Sequence, residues 1–292
     1  MGTAEVVPQG DMDRFRQRTV GRRIKEQTFT QYRSWIERFE LWRPTAQPDL
    51  GTVIDFDSFL QDPGRTDYPW ENIRGRPSPD QYAHSTRILA ISAIKLWLRL
   101  QYDHRIEDEP QNIASGEPEP FEPHYLSEND VRNVFHDAGD ACDAHGCEAA
   151  VRLTYDAVLR ASELALITRD DIDFENGVVD VTATKGSHDS KIHVDQPTID
   201  ALWDAVENGD SDAVFENTYG RQWKANSWAT HFRRKHHPAG AHSFGRHTPI
   251  VHMMNRGEPF GDVYRRARHR HPDMTARYAR FVGTEVPDWA GE

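Results

Sequence analysis

The sequence predicts a mainly α-helical chain of two domains: a helical N-terminal domain, then a mixed α/β domain that is mostly helical with a small antiparallel sheet. Three observations predict it. Apolar residues recur at helical spacing in both halves. In the second half, two short apolar runs flank one turn-rich segment. Between the halves, residues 107–124 hold four Pro and one Gly among five Glu and one Asp, the composition of a linker. The expected division is therefore 1–106, a linker over 107–124, and 125–292.

The first clear helix spans residues 28–43, where Tyr32, Trp35, Ile36, Phe39 and Trp42 line one face and Thr28 or Thr30 can cap it. A short helix follows at Asp55 to Leu60, a loop at Gly64 to Pro79, and a long helix at about Asp80 to Tyr102, striped by Leu89, Ala93, Leu96, Trp97 and Leu100. Arg14 to Arg23 reads as a mobile basic arm. In the second domain Ser127 caps one helix, Cys147 to Ala157 forms another, and Ser162 to Ile167 a short third. Val178, Val179 and Val181 mark a strand, Lys185 to Asp189 a turn, and Ser190 to Val194 the return strand. Helices are expected at Gln196 to Asn208, with Ile199, Leu202, Trp203 and Val206 on one face, and at Ser227 to His236, His247 to Asn255 and Met274 to Phe281.

Composition excludes some classes and favours others. No apolar run approaches the length of a membrane span, and Met1 to Gly10 lacks the basic flank and apolar stretch of a signal peptide, so a cytoplasmic protein with no membrane partner is expected. Two cysteines cannot build a disulfide framework. Cys142, His145 and Cys147 lie close together, but a metal site needs a fourth ligand and better spacing; they read as two thiols at a helix end, with no metal expected. The net charge of -12 conceals strong segregation. Tyr219 to Phe281 carries thirteen Lys or Arg against Glu258, Asp262 and Asp273, and Arg14 to Arg43 carries nine basic residues against three acidic ones. Two basic blocks on an acidic body are the footprint of a polyanion site.

Four local signals follow one another: Val158-Leu-Arg-Ala-Ser-Glu-Leu164, Thr184-Lys-Gly186 at a hairpin tip, Gly245-Arg-His-Thr248, and His269-Arg-His-Pro-Asp-Met-Thr-Ala-Arg-Tyr278. Their types and order resemble the tyrosine recombinase (phage integrase) family over most of Leu126 to Val282, and the N-terminal helices look like that family's core-binding domain. The resemblance implies a site-specific recombinase acting on double-stranded DNA, as a homo-oligomer (a tetramer) on DNA. Arg160 and Arg246 would clamp the phosphate, Tyr278 would attack phosphorus to form a 3′-phosphotyrosine, Lys185 would protonate the leaving 5′-oxygen, and His269 would hydrogen-bond the phosphate. The chemistry suits these residue types. A guanidinium stays charged and donates two parallel hydrogen bonds, while a phenol, with pKa near 10, needs cationic help to ionise. The linkage keeps the phosphoester energy, so no cofactor is expected. Glu163, three residues after Arg160, would orient the site. The segment after Tyr278, with Val286 and Trp289, would dock on a neighbouring protomer. The acidic remainder looks like halophilic adaptation and points to a halophilic archaeon or its virus or mobile element. The protein would associate with the nucleoid.

The chain departs from the family pattern in four places. Counting back from Arg246 without a gap puts Ser243 at the family's His position; His242 serves if the turn has one extra residue. Gly245 stands where an apolar residue is usual, so a looser helix start is expected. Arg268 stands where Gly is usual, and Pro249 replaces a large apolar residue in the helix's first turn. These changes keep the clamps and nucleophile but leave two further readings open: a catalytically weakened DNA-binding relative, or a type IB topoisomerase activity.

Overall fold

A computed structural model describes residues 7–42, 48–62, 82–101, 120–142, 144–184, 188–209 and 213–284. The chain divides into two compact units, Met1–Pro120 and Phe121–Glu292. The expected Gly64 to Pro79 loop and residues 107–119 of the expected linker lie outside the described residues, and Phe121 to His124 belong to the second unit. Among the described residues no helix is long and apolar enough to cross a membrane.

The first unit contains α1 (Gln9–Thr19), α2 (Glu26–Trp42), α3 (Leu50–Gln61) and α4 (His84–Gln101). Most of Arg14 to Arg23 is therefore helix rather than a mobile arm: Met12, Phe15 and Thr19 recur on one face and are buried, which anchors α1 despite its basic outer face. Phe15 meets Trp97 edge to face at 5.5 Å, and Phe39 meets Phe56 at 5.3 Å. Helix α2 starts before Thr28 and Thr30, so neither caps it; the Thr30 hydroxyl donates back to the Glu26 carbonyl at 3.3 Å. Helix α3 opens on a reciprocal cap in which Thr52 N–H donates to Asp49 Oδ1 at 2.9 Å.

One ion pair ties α3 to α4. Arg87 Nη1 donates to both Asp57 oxygens at 2.9 Å, and both side chains are almost fully buried. Removing one partner strands the other charge in an apolar core. Asp57→Ala is expected to destabilise this unit by roughly 3–5 kcal/mol, read as a shift in the urea midpoint of the tryptophan fluorescence transition.

The second unit begins with α5 (Glu128–Ala141), capped as expected: Asp130 N–H donates to Ser127 Oγ at 3.1 Å. Then come α6 (Cys147–Asp156) and the single turn α7 (Ala161–Leu164). The sheet is β1 (Ile172–Asp173), β2 (Val178–Val181) and β3 (Ser190–His193), antiparallel in that order, with Val179 between Ile172 and Ile192. Strand β1 has only two residues, too few for an alternating pattern. Helix α8 (Gln196–Glu207) buries Ile199, Leu202 and Val206, but Trp203 is 53% exposed and only rests its edge on Phe174. Helix α9 (Ala225–Lys235) buries Trp228 and Phe232.

The last part of the unit is a string of short helices: α10 (Gly240–His242), a π-turn over Ser243–His247, α11 (Thr248–Asn255), α12 (Phe260–Ala267), α13 (Pro272–Ala276) and a 3-10 turn at Ala279–Phe281. The expected helix from Met274 to Phe281 is thus two turns, with Tyr278 at their junction. A small separate core gathers Tyr125, Val158, Ile250, Val251, Val263 and the Tyr278 ring.

Candidate active site

The site is built around the break between α6 and α7. Helix α6 ends at Asp156, and Val158 adopts φ 53°, a left-handed conformation that is costly for a β-branched residue. The turn aims the Val158 carbonyl into the unit, where Arg246 Nη1 donates to it at 2.7 Å and Arg268 Nη2 at 3.0 Å. Arg160 follows at the start of α7, its backbone N–H donating to Glu163 Oε2 and its guanidinium to Glu163 Oε1, both at 2.9 Å. Arg268 reaches the same carboxylate from the other side, donating to Oε2 at 2.8 Å with both side chains fully buried.

Arg160, Arg246 and Arg268 therefore converge on one buried carboxylate, leaving more positive than negative charge among these four side chains. Arg246 is 2% exposed, and its Nη2 has no hydrogen-bond partner among the described residues. Burial and the neighbouring Arg160 push its pKa down to about 9. A buried guanidinium with an unused donor beside a second guanidinium is chemically suited to an anionic acceptor.

The π-turn decides what surrounds Arg246. Thr248 donates through both its backbone N–H and its hydroxyl to the Ser243 carbonyl, the wider loop that one extra residue requires. His242 thereby comes beside the guanidiniums: burial, then Arg246 and Arg160, lower its pKa, and its ring stands 4.7 Å from that of His247. Ser243 is buried within the turn. Gly245 does not loosen this start. A Cβ there would lie 2.4 Å from Thr154 Cγ2 and 2.8 Å from the Leu159 carbonyl, so glycine permits close packing on α6. Pro249 is in the first turn of α11, where its missing N–H is tolerated.

Tyr278 is 5% exposed, with Phe121 edge-on at 5.0 Å and the His269 ring stacked at 6.3 Å. Its hydroxyl lies 2.6 Å from His247 Nδ1. Burial pushes the phenol up to about 12, against the pull of Arg246, Arg160 and Arg277. His269 is 3% exposed and pairs through Nδ1 with the Thr275 hydroxyl at 2.7 Å. Burial, with charged neighbours behind it, holds His247 and His269 down to about 3.

The structure thus gathers Arg160, His242, Arg246, His269 and Tyr278. Lys185 lies outside the described residues, though Thr184, just before it, receives a hydrogen bond from Ser162 at 3.0 Å and donates to Glu163 at 3.3 Å. Two members were not anticipated. His247 sits inside the Arg-His-Thr box, where only the fold shows that its ring meets Tyr278. Arg268 has φ 51°, which explains the usual glycine there; its side chain offsets the strain with bonds to Ala157, Val158, Arg266 and Glu163.

Arg268→Gly should relieve the backbone but strip Glu163 of a buried partner, for a net loss of about 3 kcal/mol in urea unfolding. A second expectation concerns pH. The folded state holds His269 neutral below its unfolded value near 6.5, so its contribution to stability is full above that pH and falls as pH drops toward 3. Urea titrations between pH 7 and 4 should show a fall that is shallower in His269→Gln by up to about 1.4 kcal/mol per pH unit.

Residues 124–282 match the profile of the phage integrase family. No curated protein matches the chain. Among solved structures, a lambda integrase dimer bound to a COC′ core site is similar over 97% of this chain and 99% of that one, at 14% identity and a TM-score of 0.68. A Tn1549 transposon integrase in complex with transposon right end DNA is similar over 92% and 93%, at 16% identity and 0.65. A lambda integrase tetramer bound to a Holliday junction is similar over 96% and 79%, at 14% identity and 0.67. At these identities the likeness is one of fold.

Proposed function

The chain belongs to the phage integrase family, and we propose that it is a site-specific recombinase that cuts and rejoins double-stranded DNA through a 3′-phosphotyrosine at Tyr278. The observation that carries this reading is the buried Arg246 Nη2, which has no partner among the described residues and lies among the charges of Arg160 and Tyr278. A phosphodiester's non-bridging oxygens supply the missing acceptor and the missing negative charge. The Tyr278 oxygen then bonds to phosphorus as the bond to the 5′-oxygen breaks. The phenolic proton has an acceptor in neutral His247, 2.6 Å away. Lys185 supplies the proton to the departing 5′-oxygen, a role supported by the tether of Thr184 to Glu163. His242, presented by the π-turn, fills the acid-base slot in place of Ser243. His269 donates from Nε2 to the phosphate, with the Thr275 hydroxyl donating to Nδ1. Attack by the 5′-hydroxyl of a second strand reverses the step and completes the exchange.

In this reading the helical first unit is a core-binding domain. The lambda integrase tetramer on a Holliday junction favours action as a tetramer, and the Tn1549 integrase complex favours action on DNA. Charge segregation supports work at nucleoid DNA in a halophile. Val286 and Trp289, outside the described residues, are the segment for docking on a neighbouring protomer.

Covalent trapping on a nicked duplex from the native locus, chosen by binding, tests the proposal. The wild type should yield a protein–DNA adduct and Tyr278→Phe none; His247→Ala should slow adduct formation by roughly 100-fold or more. Failure of the wild type to form an adduct on tightly bound DNA would reassign the chain to DNA binding alone. Binding and trapping should persist in molar KCl, where the Debye length is about 3 Å; collapse of both there would remove the halophilic reading.

A further inference from the structure

The connection between α5 and α6 meets the C-terminal half of α9, and none of the Arg and Tyr side chains of the site described above belongs to the group there. Cys142 and Cys147 come from the first, His231 and His236 from the second, and their ligand atoms all lie within 4.8 Å of one another. His145, the histidine nearest the cysteines in sequence, is not part of this group. The two sulfurs are joined as a disulfide in this structure. The four sulfur-to-nitrogen separations are 3.5, 3.9, 3.9 and 3.4 Å. Bonds of about 2.3 Å to sulfur and 2.0–2.1 Å to nitrogen, held at tetrahedral angles, place S and N about 3.6 Å apart. The spacings Cys-x4-Cys and His-x4-His also fit a closed structural site.

We propose that, with its cysteines reduced, the chain binds one zinc ion through Cys142, Cys147, His231 and His236. A dithiol reductant gives two electrons and two protons to the disulfide and closes to its own disulfide; each freed thiol then loses a proton as its sulfur binds the metal. Two thiolates and two neutral imidazoles balance the ion's charge, so the site suits its apolar shell of Trp223, Trp228 and Phe232. A cavity of about 410 Å³, lined by Ala138, Cys142, Cys147 and Asp204, borders the two cysteines. The ion would pin α9, whose last turn carries Arg233, Arg234 and Lys235, to the body of the unit.

The test is metal content and cobalt spectroscopy on the full chain, reduced with a dithiol, loaded with zinc or cobalt and freed of excess ion. About one zinc per chain is expected, with the strong visible absorption and thiolate charge-transfer bands of tetrahedral cobalt. Cys142→Ser and His236→Asn should lose both signals, and His145→Asn should keep them. No stoichiometric metal in the reduced wild type would overturn the proposal, as would metal retained unchanged by Cys142→Ser and His236→Asn. The spectrum is read on the unaltered chain, so a variant that fails to fold does not decide the outcome, and neither readout depends on recombinase activity.

Discussion

A carboxylate buried between two guanidiniums organises this protein's site. Glu163 holds Arg160 through the helix start and Arg268 from the opposite side. Arg268 in turn shares the Val158 carbonyl with Arg246. Three cations share one anion and a few backbone carbonyls, and the arrangement leaves positive charge over. Burying such a group costs the folded chain stability, as the depressed pKa of Arg246 shows. An anion beside these guanidiniums would offset that penalty, which is why the excess charge supports the proposed phosphate contact.

The same economy appears in the backbone. Left-handed Val158 and Arg268 cost of order 1–3 kcal/mol each. Both lie where the chain must turn a carbonyl or a side chain inward. The π-turn is a third departure from regular geometry, absorbing one residue so that His242 and Arg246 meet on one side of the chain. Irregularity is concentrated around the arginines, while α5, α6 and α8 behind them are ordinary packed helices.

What the sequence made legible follows the same division. Helices with a wide apolar stripe, such as α2 and α4, and strands with alternating valines were readable because burial follows a period. Helix α1 was read as an arm because charge outweighs its few buried residues, and Trp203 was assigned to the core although its helix turns it outward. In the site, Arg160, Arg246, His269 and Tyr278 were legible from local boxes. The contact of His247 with Tyr278 joins residues far apart in the chain, and a box cannot show which of its members faces the nucleophile. The metal-ligand group was hidden for the same reason: its cysteines and histidines are separated by about half of the second unit, so the nearby His145 drew attention instead.

The central claim is that the arginine cluster is shaped for one phosphodiester beside Tyr278. A crystal structure of the Tyr278→Phe chain on duplex DNA from its native locus tests that most directly. Both non-bridging oxygens of one phosphate are expected on Arg160 and on Nη2 of Arg246, with the ring at position 278 alongside that phosphorus. A duplex held on other basic surfaces, with no phosphate reaching Arg246, would contradict it.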